Sequence, residues 1–294
     1  MTVIPASLPR VQVSQTQSCL CDLIAETAYR ALLAELAAWP KPGLVSCVDN
    51  GSHDDMNAAM LRTSAEVLQP FFRELALAGS ENSSMGALRE IGMRAEVAML
   101  AATGGVNTHR GTIFGLGLLC AAAGISGEVS ARRGVVVHRK LGPIVARKWG
   151  TDIRRGPIPL HSHGSAALRR HGAGGARLEA AEGFPNIYQV GLPALRLGRA
   201  LAPANENAAS VQTCFALIAA IRDTNILHRG GAEGALYATS SAATFLSNGG
   251  VGKPDWRVRA AAAHEGFIAR RLSPGGCADL LAMTLFVDAL EAGM

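Results

Sequence analysis

The sequence predicts an all-α protein: a single-domain bundle of many helices whose polar, glycine-rich corners hold the chemistry. Three observations carry this. Apolar residues make up 49% of the 294 positions while aromatics make up only 5%, and a core of that kind, rich in Ala and Leu, suits packed helices better than sheets. Apolar residues recur at steps of three and four along most of the chain. Alternating apolar and polar residues, the mark of a half-buried strand, form no convincing run, and Val135-Val136-Val137 is the only β-branched cluster.

Taken in order, residues 1–20 are expected to lie loosely ahead of the fold. The first helix spans 22–39, where Ile24, Ala28, Leu32, Leu36 and Trp39 fill one face before Pro40-Lys41-Pro42-Gly43 stops it. Comparable patterns predict helices over 57–77, 86–102, 112–123, 206–222, 234–246, 254–271 and 276–291. Residues 126–173 are the least regular, interrupted by Gly156-Pro157-Ile158-Pro159 and His161-Ser162-His163-Gly164, and read as a basic flap over the site. No repeat and no low-complexity linker divides the chain, so one domain covers 1–294.

Composition removes several classes of function. No N-terminal segment has the form of a secretory signal, and the longest apolar run, 112–126, is shorter than the roughly 20 residues that span a bilayer. A cytoplasmic protein with no membrane partner is expected. The six cysteines include no Cys-x-x-Cys pair, so they read as reduced thiols and not as a zinc module or disulfide framework. The net charge of +5 is uneven: residues 131–177 carry eleven Arg and Lys against Asp152 alone, a block of +10 that leaves −5 on the rest. Such a block attracts polyanions, or it is a solvated surface. Nucleic acid is not the expected partner, because Trp149 is the only aromatic there on which a base could stack.

Five polar segments sit at predicted helix ends. Gly104-Gly105-Val106-Asn107-Thr108-His109-Arg110-Gly111 lies between two apolar runs; the glycines end one helix and Asn107 or Thr108 can cap the next. With His109 and Arg110 beside free N–H groups it is either an anion cradle or an ordinary corner. Ser52-His53-Asp54-Asp55 precedes the second helix and offers two carboxylates beside an imidazole, for a hard cation, a general base or an N-terminal cap. Glu96, on a helix otherwise of Ala, Met and Leu, faces solvent or a partner. Arg177 and Glu182 lie within the segment 174–185, between Gly174-Gly175 and Gly183, as nucleotide contacts or as a surface ion pair. Asp223, Asn225, His228 and Arg229 crowd the end of a buried helix before paired glycines, a density that favours a metal and phosphate site. Ser273, Gly275 and Gly276 either cap the last helix or embrace a phosphate, with Asp279 in its first turn.

These segments, in this order and from about residue 22 to the C-terminus, resemble the triphosphoribosyl-dephospho-CoA synthase family. Gly-Gly-Val-Asn-Thr-His at 104–109, Asp-Thr-Asn at 223–225 and Ser-Pro-Gly-Gly at 273–276 are the most specific parts. The segments around Trp149, Ser162-His163-Gly164 and Gly174-Gly175-Ala176-Arg177 are more similar to the malonate decarboxylase branch than to the citrate lyase one. The chain departs from the family pattern at Arg110, often Lys, at Cys277, often a small hydroxyl residue, and at Leu178, often Gly or Ala.

The resemblance implies a transferase that joins ATP to 3′-dephospho-CoA and releases adenine, making a prosthetic-group precursor that a separate transferase places on an acyl carrier subunit. The acceptor's 2′-hydroxyl then attacks the anomeric carbon of the ATP ribose through an oxocarbenium-like transition state. On this reading Asp54, Asp55, Asp223 and Glu96 are the catalytic candidates, and Asp54, Asp55, Asp223 and Asp279 would hold Mg²⁺. Lys41, His109, Arg110 and Arg229 would hold phosphates, and Ser52, His53, Asn107, Thr108, Arg177, Glu182, Asn225, His228, Ser273, Gly275 and Gly276 would complete the substrate site. Asp223→Asn is expected to lower turnover by orders of magnitude without unfolding the protein. The same reaction serving citrate lyase, a nucleotide N-glycoside hydrolase and a basic nucleic-acid-binding module remain the alternatives, and dimerisation is left open.

Overall fold

The structure is a computed structural model that describes residues 15–133, 140–156 and 175–292. Among these are eleven α-helices and no strand. They are α1 (Gln15–Ala37), α2 (Ala58–Ser80), α3 (Met85–Ala102), α4 (Arg110–Arg133), α5 (Leu141–Arg155), α6 (Gly175–Ala181), α7 (Leu192–Leu201), α8 (Glu206–Ala220), α9 (Thr224–Ser247), α10 (Trp256–Ala269) and α11 (Gly275–Ala292). A π-helical turn, Ile187–Gly191, leads into α7, and a 3₁₀ turn, Gly250–Gly252, follows α9.

Two helices apolar on every side, α4 and α8, form the spine, because a helix with no polar face has to be surrounded. Leu116, Leu119, Cys120, Ala121 and Ala122 of α4 and Val211, Cys214, Phe215 and Leu217 of α8 are all fully buried. Helix α2 packs between α1, α3 and α4, and α7 and α9 pack on α8. Helix α11 joins the two halves by touching α1 and α4 on one side and α8 and α9 on the other. One window, Arg110–Gly127, is long and apolar enough to cross a membrane by length and composition, and most of it is buried within the fold.

Side-chain caps set several helix starts. Asn57 accepts from the Met60 N–H at 3.0 Å, Ser84 from Ala87 and Asn205 from Ala208. Each satisfies an N–H that the helix itself cannot. At the other end of α3, Gly104 and Gly105 take φ of 64° and 90°, so the chain turns there without the Cβ clash that other residues would suffer.

The sequence reading and the structure part in four places. Helix α1 starts at Gln15, so residues 15–20 are helical; residues 1–14 lie outside the described residues. The supposedly irregular stretch from 126 contains the end of α4 and all of α5. Leu141, Ile144, Val145, Trp149 and Ile153 form a buried stripe on α5, which the surrounding basic residues and Pro143 hide in the sequence. What remains of the expected flap, 134–139 and 157–174, lies outside the described residues. Helices α6 and α7 are too short to show a period. Helix α9 begins at Thr224, ten residues before the predicted start, because it runs through Gly230-Gly231 with one non-helical residue, Gly231, at φ 59° and ψ −154°.

The six cysteines are free thiols, four of them buried.

Candidate functional site

The N-terminal ends of α4, α9 and α11 converge on one cavity of about 1480 Å³, walled also by α3, α6 and the 53–56 loop. Every site residue the sequence singled out lines it except Lys41, Ser52 and Asp54. The cavity is larger than the roughly 300–1,000 Å³ usual for a small-molecule site. Arginines stand around it: Arg89, Arg110, Arg154, Arg177, Arg222 and Arg229.

Asp279 is the carboxyl that the fold sets apart. It is the fifth residue of α11, partly buried, and accepts a hydrogen bond at Oδ1 from the Thr112 hydroxyl of α4. Its Oδ2 lies against Gly111, where a Cβ would come within 2.0 Å of it, so only glycine admits the carboxyl. Burial, reinforced by the negative charges of Asp223 and Glu35, pushes its pKa up to about 7, against the Thr112 hydrogen bond. A carboxyl so poised is half protonated at neutral pH.

Asp223 is buried and serves two helix starts at once. Oδ1 accepts from the N–H groups of Asn225 at 2.7 Å and Ile226 at 3.2 Å, capping α9, and Oδ2 accepts from Cys277 N–H of α11 at 2.9 Å. Burial raises its pKa in spite of these bonds. Asparagine would turn an NH₂ toward one of these donors, so Asp223→Asn is expected to lose about 1–3 kcal/mol of stability in urea unfolding. This amends the expectation that the substitution acts on turnover alone, and a wild-type midpoint would refute the double-cap reading.

At the neighbouring corner, Asn107 caps α4 by accepting from Arg110 N–H at 3.1 Å. Arg110 turns its guanidinium to Glu96, with Nε 2.7 Å from Oε1; this is the partner that Glu96 lacked in the sequence. Thr108 bonds the Ser64 hydroxyl at 2.8 Å, and Ser64 lies 2.7 Å from His109 Nδ1. His109 is buried and its pKa falls to about 4, so near neutrality it offers a phosphate no charge. Lys41 is 0% exposed and pairs with both the carboxylate and the carbonyl oxygen of Glu35 inside the wall. Neither is the phosphate cation the sequence suggested.

The 52–55 loop is held against the end of α10. Ser52 Oγ donates to Leu272 O at 2.7 Å, and the Arg229 guanidinium donates to Ser52 O at 3.1 Å and Arg271 O at 3.4 Å. His53 Nε2 lies 2.8 Å from Ser273 Oγ and its Nδ1 3.1 Å from Asp55 Oδ1. Burial lowers the His53 pKa, with Asp55 opposing and Arg229 assisting. Asp54 points away from the cavity to solvent. On the far wall, Arg177 donates to Ile153 O and, at 2.9 Å, to Gly156 O, so it closes the end of α5, while Arg154 and Glu182 approach to 3.5 Å. Exposed His228 faces the cavity beside Asn225, and Gly275 and Gly276 lie at its α11 edge.

The four carboxylates expected to hold a metal are not gathered. Asp54 is outside, Asp55 is turned to His53 and Asp223 is occupied by backbone donors. Among the described residues no group of three or more His, Cys, Asp or Glu side chains stands in metal-holding geometry.

The sequence reading missed Glu35, Arg89, Arg154, Glu179 and Asn186 on the cavity wall. Glu35 carried a legible signal, since it falls three residues after Leu32 on the apolar stripe of α1, where an unpaired carboxylate would be costly. Glu179 accepts both from the Asn186 backbone N–H at 2.9 Å and from its side-chain amide at 2.6 Å, which a sequence does not disclose.

Comparison with known proteins agrees with the geometry. The family model described as ATP:dephospho-CoA triphosphoribosyl transferase, CitG, matches residues 21–294. A 2-(5″-triphosphoribosyl)-3′-dephosphocoenzyme-A synthase of Pectobacterium atrosepticum is 40% identical over 96% of this chain and 94% of its own length. Proteins named as probable synthases of the same kind from Pseudomonas fluorescens Pf0-1 and Azotobacter vinelandii are 39% and 37% identical, covering 92% and 99% of this chain and 93% and 97% of theirs. No solved structure matches the chain. Spanning nearly the whole sequence, these likenesses place the chain in the CitG family of ATP:dephospho-CoA triphosphoribosyl transferases.

Proposed function

We propose that this chain transfers the triphosphoribosyl group of ATP to 3′-dephospho-CoA with release of adenine, in the cytoplasm, and that its product is destined for the acyl carrier subunit of malonate decarboxylase. The observation that carries the transfer is the cavity of about 1480 Å³, roomy enough for two nucleotides, walled by arginines and holding Asp279, a carboxyl whose pKa is pushed up to about 7. The malonate decarboxylase destination rests on the sequence around Trp149 and Gly174-Gly175-Ala176-Arg177.

Asp279, held by Thr112, stands as the acid that protonates departing adenine, the role a raised carboxyl takes in glycoside cleavage. Arg89, Arg110, Arg154 and Arg222 of the wall bind the phosphates of the two substrates, planar donors suited to such oxygens, while Arg177 and Arg229 shape the site through the backbone carbonyls they hold. Magnesium would supply charge neutralisation and would arrive on the triphosphate, as this ion commonly does, since the described residues gather no ligand set of their own.

Purified protein given ATP, Mg²⁺ and 3′-dephospho-CoA is expected to release adenine only when the acceptor is present, with the coupled product found by mass spectrometry. Adenine without acceptor would make the chain an N-glycoside hydrolase, and no adenine would end the transfer reading. Supplying the product, with the carrier-loading transferase, to the carrier subunits of malonate decarboxylase and citrate lyase tests the destination.

A further inference from the structure

We propose that Ser273 and His53 form a relay that removes the proton from the attacking hydroxyl of the acceptor, making His53 the base of the reaction and not only a part of the substrate site. This rests on the transfer proposed above. The pair is built from two ends of the chain that the fold registers deliberately. Ser52 donates to Leu272 O, and Arg229 ties Ser52 O to Arg271 O, so the residues that follow, His53 and Ser273, are set face to face. Ser273 Oγ then lies 2.8 Å from His53 Nε2.

Ser273 is 2% exposed yet lies on the cavity wall. Its hydroxyl lies at Nε2 of the ring, so a proton taken up by the serine oxygen from the cavity has a direct path to the imidazole. The relay requires the tautomer in which Nδ1–H is donated to Asp55 Oδ1, 3.1 Å away, which leaves Nε2 as the acceptor and makes Arg229 a neighbouring charge at Nδ1, not a hydrogen-bond donor to it. Two charged groups stand against the ring, Asp55 from its own loop and Arg229 from α9, whose Nη2 lies 3.3 Å from Nδ1, while Asp54, turned to solvent, acts on it only through its charge.

In the step itself, the acceptor oxygen forms its bond to the anomeric carbon as the bond from that carbon to the adenine nitrogen breaks. The electron pair of the broken bond leaves with adenine, which takes the proton of Asp279. The acceptor's hydroxyl proton passes to Ser273 Oγ while the serine's own proton moves to His53 Nε2. Solvent resets both groups after the products leave.

The same arrangement of Ser, His and Asp is that of a nucleophilic serine, and the experiment separates the two. Adenine release is measured at saturating ATP and 3′-dephospho-CoA for wild type, Ser273→Ala, Ser273→Thr, His53→Gln and the Ser273→Ala/His53→Gln double variant, with folding checked by circular dichroism. Loss of the base is expected to lower kcat by ~10²–10⁴-fold with both KM values near wild type. The double variant should be no slower than the worse single variant, because the two act as one unit. Ser273→Thr should recover much of the activity. Should His53→Gln fail to fold, the two Ser273 variants decide the matter alone. A raised KM with kcat kept, additive losses, or normal turnover in Ser273→Ala would overturn the relay, as would a covalent adduct on Ser273 after turnover. An inactive wild type would instead overturn the transfer reading on which the relay rests.

Discussion

Asp279→Asn is expected to slow adenine release by ~10²–10⁴-fold, the range usual for a positioned acid, while the protein stays folded. Asparagine is nearly the same shape, its Oδ1 still accepts from Thr112, and its amide still fits against Gly111, but it has no proton to give. The pH dependence sharpens the test. Adenine needs the protonated carboxyl, so the rate of wild type should fall as pH rises through about 7, and that limb should be missing from the residual rate of the variant.

Stability supplies an independent check with a definite sign. The folded pKa of about 7 lies above the ordinary 3.8 of Asp. Between those values the folded protein keeps a proton that the unfolded chain has released, so this group's contribution to stability is lost as pH rises through about 7. The variant has no such loss. Its stability relative to wild type, measured by urea unfolding at pH 5 and pH 8, should therefore improve at the higher pH. A difference that does not change with pH would mean that Asp279 is ionised throughout and is not the acid.

Lys41→Met should cost about 3–5 kcal/mol of unfolding free energy, the penalty for stranding one member of a buried ion pair. Lys41 is fully buried, and the Glu35 side chain is 11% exposed. Removal of the ammonium leaves the Glu35 carboxylate in the wall without its cation. Against a total of roughly 5–15 kcal/mol for a typical domain, this is a large share. Adding Glu35→Leu should restore most of the loss, since an apolar pair of similar volume often replaces a buried ion pair without penalty. A single variant with the wild-type urea midpoint but a much weaker KM for ATP would return Lys41 to the phosphate site.

These two residues mark what a sequence discloses and what it hides. Lys41 sits in Pro-Lys-Pro-Gly, a corner of the kind that runs over a surface, so an exposed cation was the natural reading. Asp279 falls in the first turn of the helix predicted over 276–291, where capping and dipole would place an acid anyway, although the helix begins at Gly275 and sets it fifth. Glu35 stands on the apolar stripe of α1, which calls for a buried partner; Lys41 follows only six residues on, but the Pro-Lys-Pro-Gly corner that carries it hides that it turns inward. Helix α5 carried a full apolar stripe, concealed because basic residues fill its other face and glycines and prolines surround it.

The all-α class, most of the long helices and the corners that carry chemistry followed from the sequence alone, because helical periodicity, capping and glycine turns are set by residues within a few positions of one another. The tertiary structure alone decided which of those corners share a cavity and which of their charges survive there. Thr112 meets Asp279 across 167 residues and His53 meets Ser273 across 220. Burial and pairing between such distant segments make His109 neutral, spend Asp223 on two helix starts and bring Asp279 toward neutral pKa, and no local pattern encodes those encounters.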